Sequence, residues 1–273
     1  KIPENEFGNK KVSRVGLGGE GVLRTRGRND EAEKVISEAL QQNITYFDCA
    51  RVYADSELYY GRIWGRDPKK RSNIFQASKS ASRDRKGALK DLEESFERLK
   101  IDYLDLWQIH DVRTAEDIDL ISRPGGALEA FVEAKDSGRV GAVGVTGHHD
   151  PAILAQAIRQ WPVDSVMMPV NPVEGVLAKL RPEAFMLSPM TAAVEKGIAI
   201  IAMKVLGASH YLFADGGITA ETLISYALSY PITVAIVGCS TPDHVRTLAD
   251  VGKRAKPMPG EERIALEKAF EPN

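Results

Sequence analysis

Residues 88–110 read ALKDLEESFERLKIDYLDLWQIH. Leu89, Leu92, Phe96 and Leu99 recur at the spacing that gathers them on one face of a helix, and charged residues occupy the other face. Over 103–109 the pattern changes to a short, near-continuous apolar run that ends at His110. Such a run reads as a strand covered on both faces, as in a parallel sheet. A helix that delivers the chain to a doubly covered strand is one unit of a β/α alternation.

The same unit recurs on both sides. Upstream, Ala32, Val35, Ile36, Ala39 and Leu40 form a helical stripe, with Asp30 as the expected cap and Glu33 reaching back, and the strand 44–49 follows. A helix over about 56–64 then leads to the strand 73–78, with Lys69, Lys70 and Arg71 between them as a solvated loop. Downstream, a helix over 126–137 and a turn at Gly138 precede the strand 140–146. Asp150-Pro151 opens the next helix, before the strand 165–170, and Ser188-Pro189 and Thr241-Pro242 repeat that start signal. Between those two lie the strand 198–204, a helix over about 220–229 and the strand 232–237, and an amphipathic piece over 261–270 closes the chain. Segments 175–187 and 207–218 read as loops, where specificity would reside.

At the N-terminus a hairpin is expected: 2–7, a Gly8-Asn9 turn, then 11–17 running into the glycines of GLGGEG. Gly16, Gly18, Gly19 and Gly21 do not follow the G-x-G-x-x-G spacing, which counts against a doubly wound dinucleotide-binding sheet. Eight strands alternating with helices instead predict the α/β class and a (β/α)8 TIM barrel, as a single domain over residues 1–273.

Composition narrows the function. The formal net charge is -2, from 36 basic and 38 acidic residues with no long block of one sign, so neither nucleic acid nor an anionic membrane is an expected partner. Two cysteines, Cys49 and Cys239, are too few for a disulfide framework, and a reduced, cytoplasmic setting is expected. No apolar run is long enough to span a bilayer, and the opening KIPENEFGNKKVSRV is too polar for a signal peptide. A small-molecule partner remains, and no residue pattern sets an oligomeric state.

In a barrel the carboxyl ends of the strands converge on one face. Asp48, Lys79 and His110 fall at three consecutive strand ends, and Tyr53 follows on the loop in NITYFDCARVY, 43–53. Each alone suits an ordinary cap, surface cation or packed ring; together they form a candidate acid-base site. Lys79 and Lys204 also permit a Schiff-base aldolase, though that chemistry leaves Asp48 and Tyr53 unexplained. His110, Asp111, His148 and His149 invite a metal reading. However, no His-x-His follows the first strand, so His148-His149 reads as loop and no metal site is expected.

These residues carry a resemblance to the aldo-keto reductase superfamily along almost the whole chain. FDCARVYADSELYYG (47–61), QASK (76–79) and the stretch quoted first are similar to its signatures, and the N-terminal hairpin resembles the one that closes the barrel bottom there. The resemblance implies an NAD(P)H-dependent oxidoreductase that reduces the carbonyl of an aldehyde, ketone or sugar, with NADPH as cofactor and NADH possible. Tyr53 would give the proton, Lys79 would ease its loss, Asp48 would hold Lys79, and His110 would orient the carbonyl oxygen or share the proton traffic. Implied cofactor contacts are Thr146, Met167, Met203, Lys204, Leu206, Gly238, Thr241, His244 and Arg246. Several depart from the family: Thr146 for serine, Met167 for glutamine, Met203 for an aromatic ring, Gly238 for lysine and His244 for arginine. A nicotinamide-binding redox sensor or auxiliary subunit with little turnover is the alternative within the same resemblance.

Overall fold

The structure, a computed structural model, describes residues 1–213 and 216–271. Strands β1 (Glu4–Phe7) and β2 (Lys10–Ser13) form an antiparallel hairpin around Gly8-Asn9. The chain then runs β3 (Val15–Gly21), α1 (Asn29–Gln41), β4 (Tyr46–Asp48), α2 (Ser56–Arg66), α3 (Pro68–Ser72), β5 (Phe75–Ser80), α4 (Arg85–Leu99), β6 (Leu104–Ile109), α5 (Ala115–Ser122), α6 (Ala127–Asp136) and β7 (Val140–Thr146). It continues through α7 (Pro151–Gln160), β8 (Ser165–Pro169), α8 (Pro172–Leu180), α9 (Ser188–Lys196), β9 (Ala199–Met203), α10 (Ala220–Ala227), β10 (Val234–Cys239), α11 (Pro242–Arg254) and α12 (Gly260–Lys268). Strands β3 to β10 pair in parallel and in chain order, and β10 closes on β3. This is the expected (β/α)8 barrel.

Side-chain alternation explains how the barrel builds its open end. Successive residues of a strand point to opposite faces. On β4 Tyr46 points inward and Phe47 outward; on β5 Phe75 and Ala77 point inward; on β6 Leu106 points inward while Trp107 stacks on Phe131 of α6 at 3.7 Å. Extending those inner rows by two residues reaches Asp48, Lys79 and, past Gln108, His110. The same count along β7, β9 and β10 ends the inner rows at Thr146, Met203 and Gly238. The strand pattern that fills the barrel thus aims the candidate residues into its mouth.

The opposite end is closed by the hairpin. Phe7 and Val12 are buried under the inner residues Tyr46 and Phe75, with the Phe7 and Phe75 rings centred 4.6 Å apart. A buried carboxylate ties this end together. Asp105 accepts from Lys10 of the hairpin and from the Gln76 backbone N–H at 2.9 Å, and it pairs with the Arg71 guanidinium at 2.8 Å. Asp105→Asn keeps the shape and removes the charge, and is expected to lower the unfolding free energy by about 1.5–3 kcal/mol, the usual worth of hydrogen bonds to a charged group. Urea unfolding checks this; a change within about 0.5 kcal/mol, typical of surface substitutions, would mean that the tie contributes nothing.

Several local expectations need correction. Lys69, Lys70 and Arg71 are not a loop but lie in a short helix, α3, and Arg71 is nearly buried against Asp105. Asp30 lies inside α1, whose N-cap position, Arg28, makes no capping bond with its side chain, and Ser188 likewise starts α9 without capping it. Asp150 and Thr241 do cap, each accepting from backbone N–H groups of the following turn. The segment 175–187 is half helix, because Asn171 accepts from Glu174 N and Pro172 occupies the first turn of α8. Residues 115–122 form the unanticipated helix α5, closed by a Thr114–Asp117 capping box. The arm expected over 11–17 is broken at Arg14 into β2 and β3, and β10 runs on to Cys239.

Candidate active site

Four side chains meet at the mouth. Lys79 Nζ donates to Asp48 Oδ2 at 2.7 Å and to the Cys49 carbonyl at 2.8 Å, and both charged side chains are buried. The ammonium lies 4.6 Å from the centre of the Tyr53 ring, and Arg24 lies at the same distance from it. Tyr53 Oη is 3.5 Å from His110 Nε2, the two rings meeting edge to face. Lys79 therefore acts on Tyr53 through its field across the ring, since no direct hydrogen bond joins them.

The loop carrying Tyr53 is held from below. Glu57 of α2 is fully buried and accepts from Ser78 Oγ at 2.7 Å and Arg98 Nε at 3.0 Å, and Arg98 donates onward to the Ala54 carbonyl at 2.7 Å. That bond secures Ala54 in the left-handed region (φ 47°), one residue after Tyr53. Gly19 makes room on the other side: a Cβ there would sit 2.7 Å from Tyr53 Cε2. The glycines of β3 thus serve close approach: Gly19 to the Tyr53 ring, Gly18 and Gly21 to the backbone of β10.

Electrostatics assign protonation states. Burial pushes the Tyr53 phenol above its ordinary value, with Lys79 pulling back only partly, so the hydroxyl keeps its proton. Burial alone would lower Lys79, yet Asp48 and Tyr53 hold it above its ordinary value. An ammonium so held is a poor amine nucleophile, which counts against the aldolase reading. Burial also raises Asp48, and Lys79 opposes that shift. Burial, then the Lys79 charge, lowers His110 to about 3, so the imidazole is neutral. Its Nδ1 is buried with no hydrogen-bond partner among the described residues. A proton there would be stranded, which assigns the single N–H to Nε2, facing Tyr53.

His110 carries a pH consequence. Between pH 6.5 and about 3 the unfolded chain takes up a proton that the folded chain refuses. Stability should therefore fall as pH drops through that window. His110→Gln is expected to flatten the acid side of the Tm-versus-pH curve, and identical slopes in the two proteins would contradict the neutral state of this half-buried ring.

The expected cofactor residues spread over the adjoining strand ends. Thr146 Oγ accepts from the Asp111 N–H at 2.8 Å, leaving its own hydrogen free to donate. Met167 is buried in the barrel interior beneath half-buried Met203, and Leu206 is half-buried. Lys204, in the left-handed region (φ 54°), is exposed, with its Nζ 3.1 Å from His148 Nδ1. Gly238 lies beside Glu20, and Thr241 caps α11. His244 Nδ1 accepts from Ser240 N, so that ring faces the helix start. Arg246 is exposed and already bonded to Glu38 at 2.8 Å and to Asp243. A hydroxyl, an exposed ammonium held only by a histidine nitrogen among the described residues, and a helix N-terminus along one rim suit a molecule with a carboxamide at one end and phosphates at the other.

Sequence reasoning missed Arg24, Gly19, Glu57 and Arg98 as supports of Tyr53. Glu57 alone had a local signal, an acid on the apolar side of a helix.

Comparison with known proteins follows the geometry. The model of the Aldo/keto reductase family matches residues 14–214. An aldo-keto reductase of Strobilurus tenacellus is 27% identical over 220 residues, covering 76% of this chain and 62% of that protein. The chain spans roughly half to three fifths of the length of the curated relatives it matches first. The holo aldo-keto reductase from Bacillus halodurans superposes with a TM-score of 0.79 at 19% identity, covering 98% of this chain and 96% of that one. An aldo-keto reductase from Klebsiella pneumoniae in complex with NADPH gives 0.78 at 18% identity, covering 98% and 94%. At those identities the likeness is one of fold.

Proposed function

The chain belongs to the aldo/keto reductase family, and on that footing we propose that residues 1–273 act as one barrel domain that reduces the carbonyl of an aldehyde, ketone or sugar at the expense of NADPH. The observation that carries this reading is Tyr53, protonated and half-buried, between the Lys79–Asp48 ion pair and the neutral His110 Nε2–H.

Tyr53 Oη and His110 Nε2 form a two-point cradle for a carbonyl oxygen. His110 donates without being charged and so orients the oxygen; Tyr53 holds the proton that the oxygen takes as it becomes an alcohol. As that proton leaves, the Lys79 ammonium stabilises the phenolate left behind, and Asp48 keeps Lys79 in position. A reduced nicotinamide, when bound, supplies the hydride that the carbonyl carbon accepts. Thr146 would hold its carboxamide and Met203, over Met167, would pack its ring face. Lys204 would meet the pyrophosphate beside Leu206 and Gly238. NADPH is supported by the bound cofactor of the Klebsiella pneumoniae protein.

The first test is oxidation of NADPH across a panel of aldehydes, ketones and sugars, with NADH in parallel. NADPH is expected to be preferred. Thr241 and His244 at the start of α11, with Arg246, would receive the 2'-phosphate, but Arg246 must give up Glu38 and Asp243 to do so. Its net contribution is therefore small, and Arg246→Ala should shrink the NADPH preference in kcat/KM by roughly two- to fivefold, the worth of an exposed ion pair. Equal use of both cofactors by the wild type would overturn the assignment.

A further inference from the structure

Beside the candidate site, three side chains with no role in the proposed reduction converge. Asp111 Oδ1 lies 3.4 Å from His148 Nε2 and 3.3 Å from His149 Nε2. Neither approach has hydrogen-bond geometry, and Oδ1 is a buried atom without a hydrogen-bond partner among the described residues. The other carboxylate oxygen is occupied by Arg113, whose Nε donates to Oδ2 at 2.8 Å. The backbone is fixed as well, in the left-handed region (φ 59°) with its N–H on Thr146 Oγ. An oxygen is thus aimed at two imidazole nitrogens by a side chain and a backbone that cannot easily turn away.

We propose that Asp111, His148 and His149 form a binding site for one divalent ion of the zinc class. Two ligands bonded at about 2.0–2.1 Å and separated by a tetrahedral angle lie about 3.3–3.4 Å apart, which is the spacing from Asp111 Oδ1 to each ring. All three donor atoms lie within 4.8 Å of one another. Two imidazoles and one carboxylate select zinc, cobalt or nickel over magnesium or calcium, which prefer oxygen alone. Three protein ligands on a half-exposed rim leave the fourth position to water. Arg113 supplies the outer hydrogen bonds that hold the carboxylate.

Lys204 opposes occupancy. Its ammonium lies against His148 Nδ1, which makes that nitrogen the acceptor and puts the ring proton on Nε2. When the ion takes Nε2, the proton moves to Nδ1 and Lys204 swings away. Its exposed stem and lack of a carboxylate partner among the described residues permit that movement.

The test is binding rather than turnover, so it is independent of the proposed reduction. Chelator-treated protein is titrated with zinc alone by calorimetry and with cobalt(II) by visible absorption, which reports tetrahedral coordination by its intensity. One ion per chain is expected, with affinity falling about tenfold or more in both Asp111→Asn and His149→Gln and rising in Lys204→Met. His149 is partly exposed, so His149→Gln should fold even if Asp111→Asn does not, and circular dichroism verifies both. Absence of saturable binding in the wild type, affinity unchanged in His149→Gln, or weaker binding in Lys204→Met would each overturn the proposal.

Discussion

Tyr53→Phe is expected to slow reduction by about 10²- to 10⁴-fold, the usual contribution of a positioned general acid, while cofactor affinity changes little. The substitution removes one oxygen and keeps the ring, so the packing against Gly19 and the two cations over the ring face persist. His110 alone then faces the carbonyl oxygen. Its neutral imidazole orients but is a weaker proton source, because the imidazole is neutral at any working pH above about 3. Single-turnover rates with saturating cofactor separate this from a binding defect. A variant retaining more than about a tenth of the wild-type rate would remove Tyr53 from the proton-donor role.

The second large effect concerns Lys79 and Asp48 as one unit. Lys79→Met should lower the single-turnover rate by about 10²-fold, a usual loss when one preorganised charge or donor is deleted. It leaves Asp48 buried beside an apolar chain, where burial already pushes the carboxyl up, so Asp48 takes up a proton. Asp48→Asn leaves the ammonium with only the Cys49 carbonyl and should cost stability of about 3–5 kcal/mol, as for one broken buried pair. Because each residue acts through the other, the double variant should be little slower than Lys79→Met. Rate losses that simply add would show that the contact at 2.7 Å is not how Asp48 contributes.

The fold was legible where local patterns and long-range packing agree. Doubly covered strands such as Phe75–Ser80 and Leu104–Ile109 announce themselves by composition, and the strand period of two carries the inner rows to Asp48, Lys79 and His110. Starts marked by a capping residue before proline were legible at Asp150 and Thr241. The same signal stands at Asn171-Pro172, where α8 runs into the stretch read as a loop from 175, and at Ser188-Pro189 it marks a helix start without a cap. What stayed hidden depends on barrel closure. Arg71 looks like one of three solvated cations until Asp105 is brought beneath it. His148 and His149 look like loop residues until Asp111, from the preceding strand end, is placed against both. Arg24 gives no local hint that it covers Tyr53.

The measurement that bears most directly on the account follows a label. With the carbonyl compound that the panel identifies, the protein is given NADPH deuterated on the face that transfers hydride, and the alcohol is analysed by mass and magnetic resonance. Reduction at the proposed site puts one deuterium on the former carbonyl carbon in the wild type and only a trace in Tyr53→Phe over the same interval. Tight binding of NADPH with no labelled alcohol from any carbonyl compound would contradict catalysis here and make the chain a nicotinamide-binding sensor or auxiliary subunit.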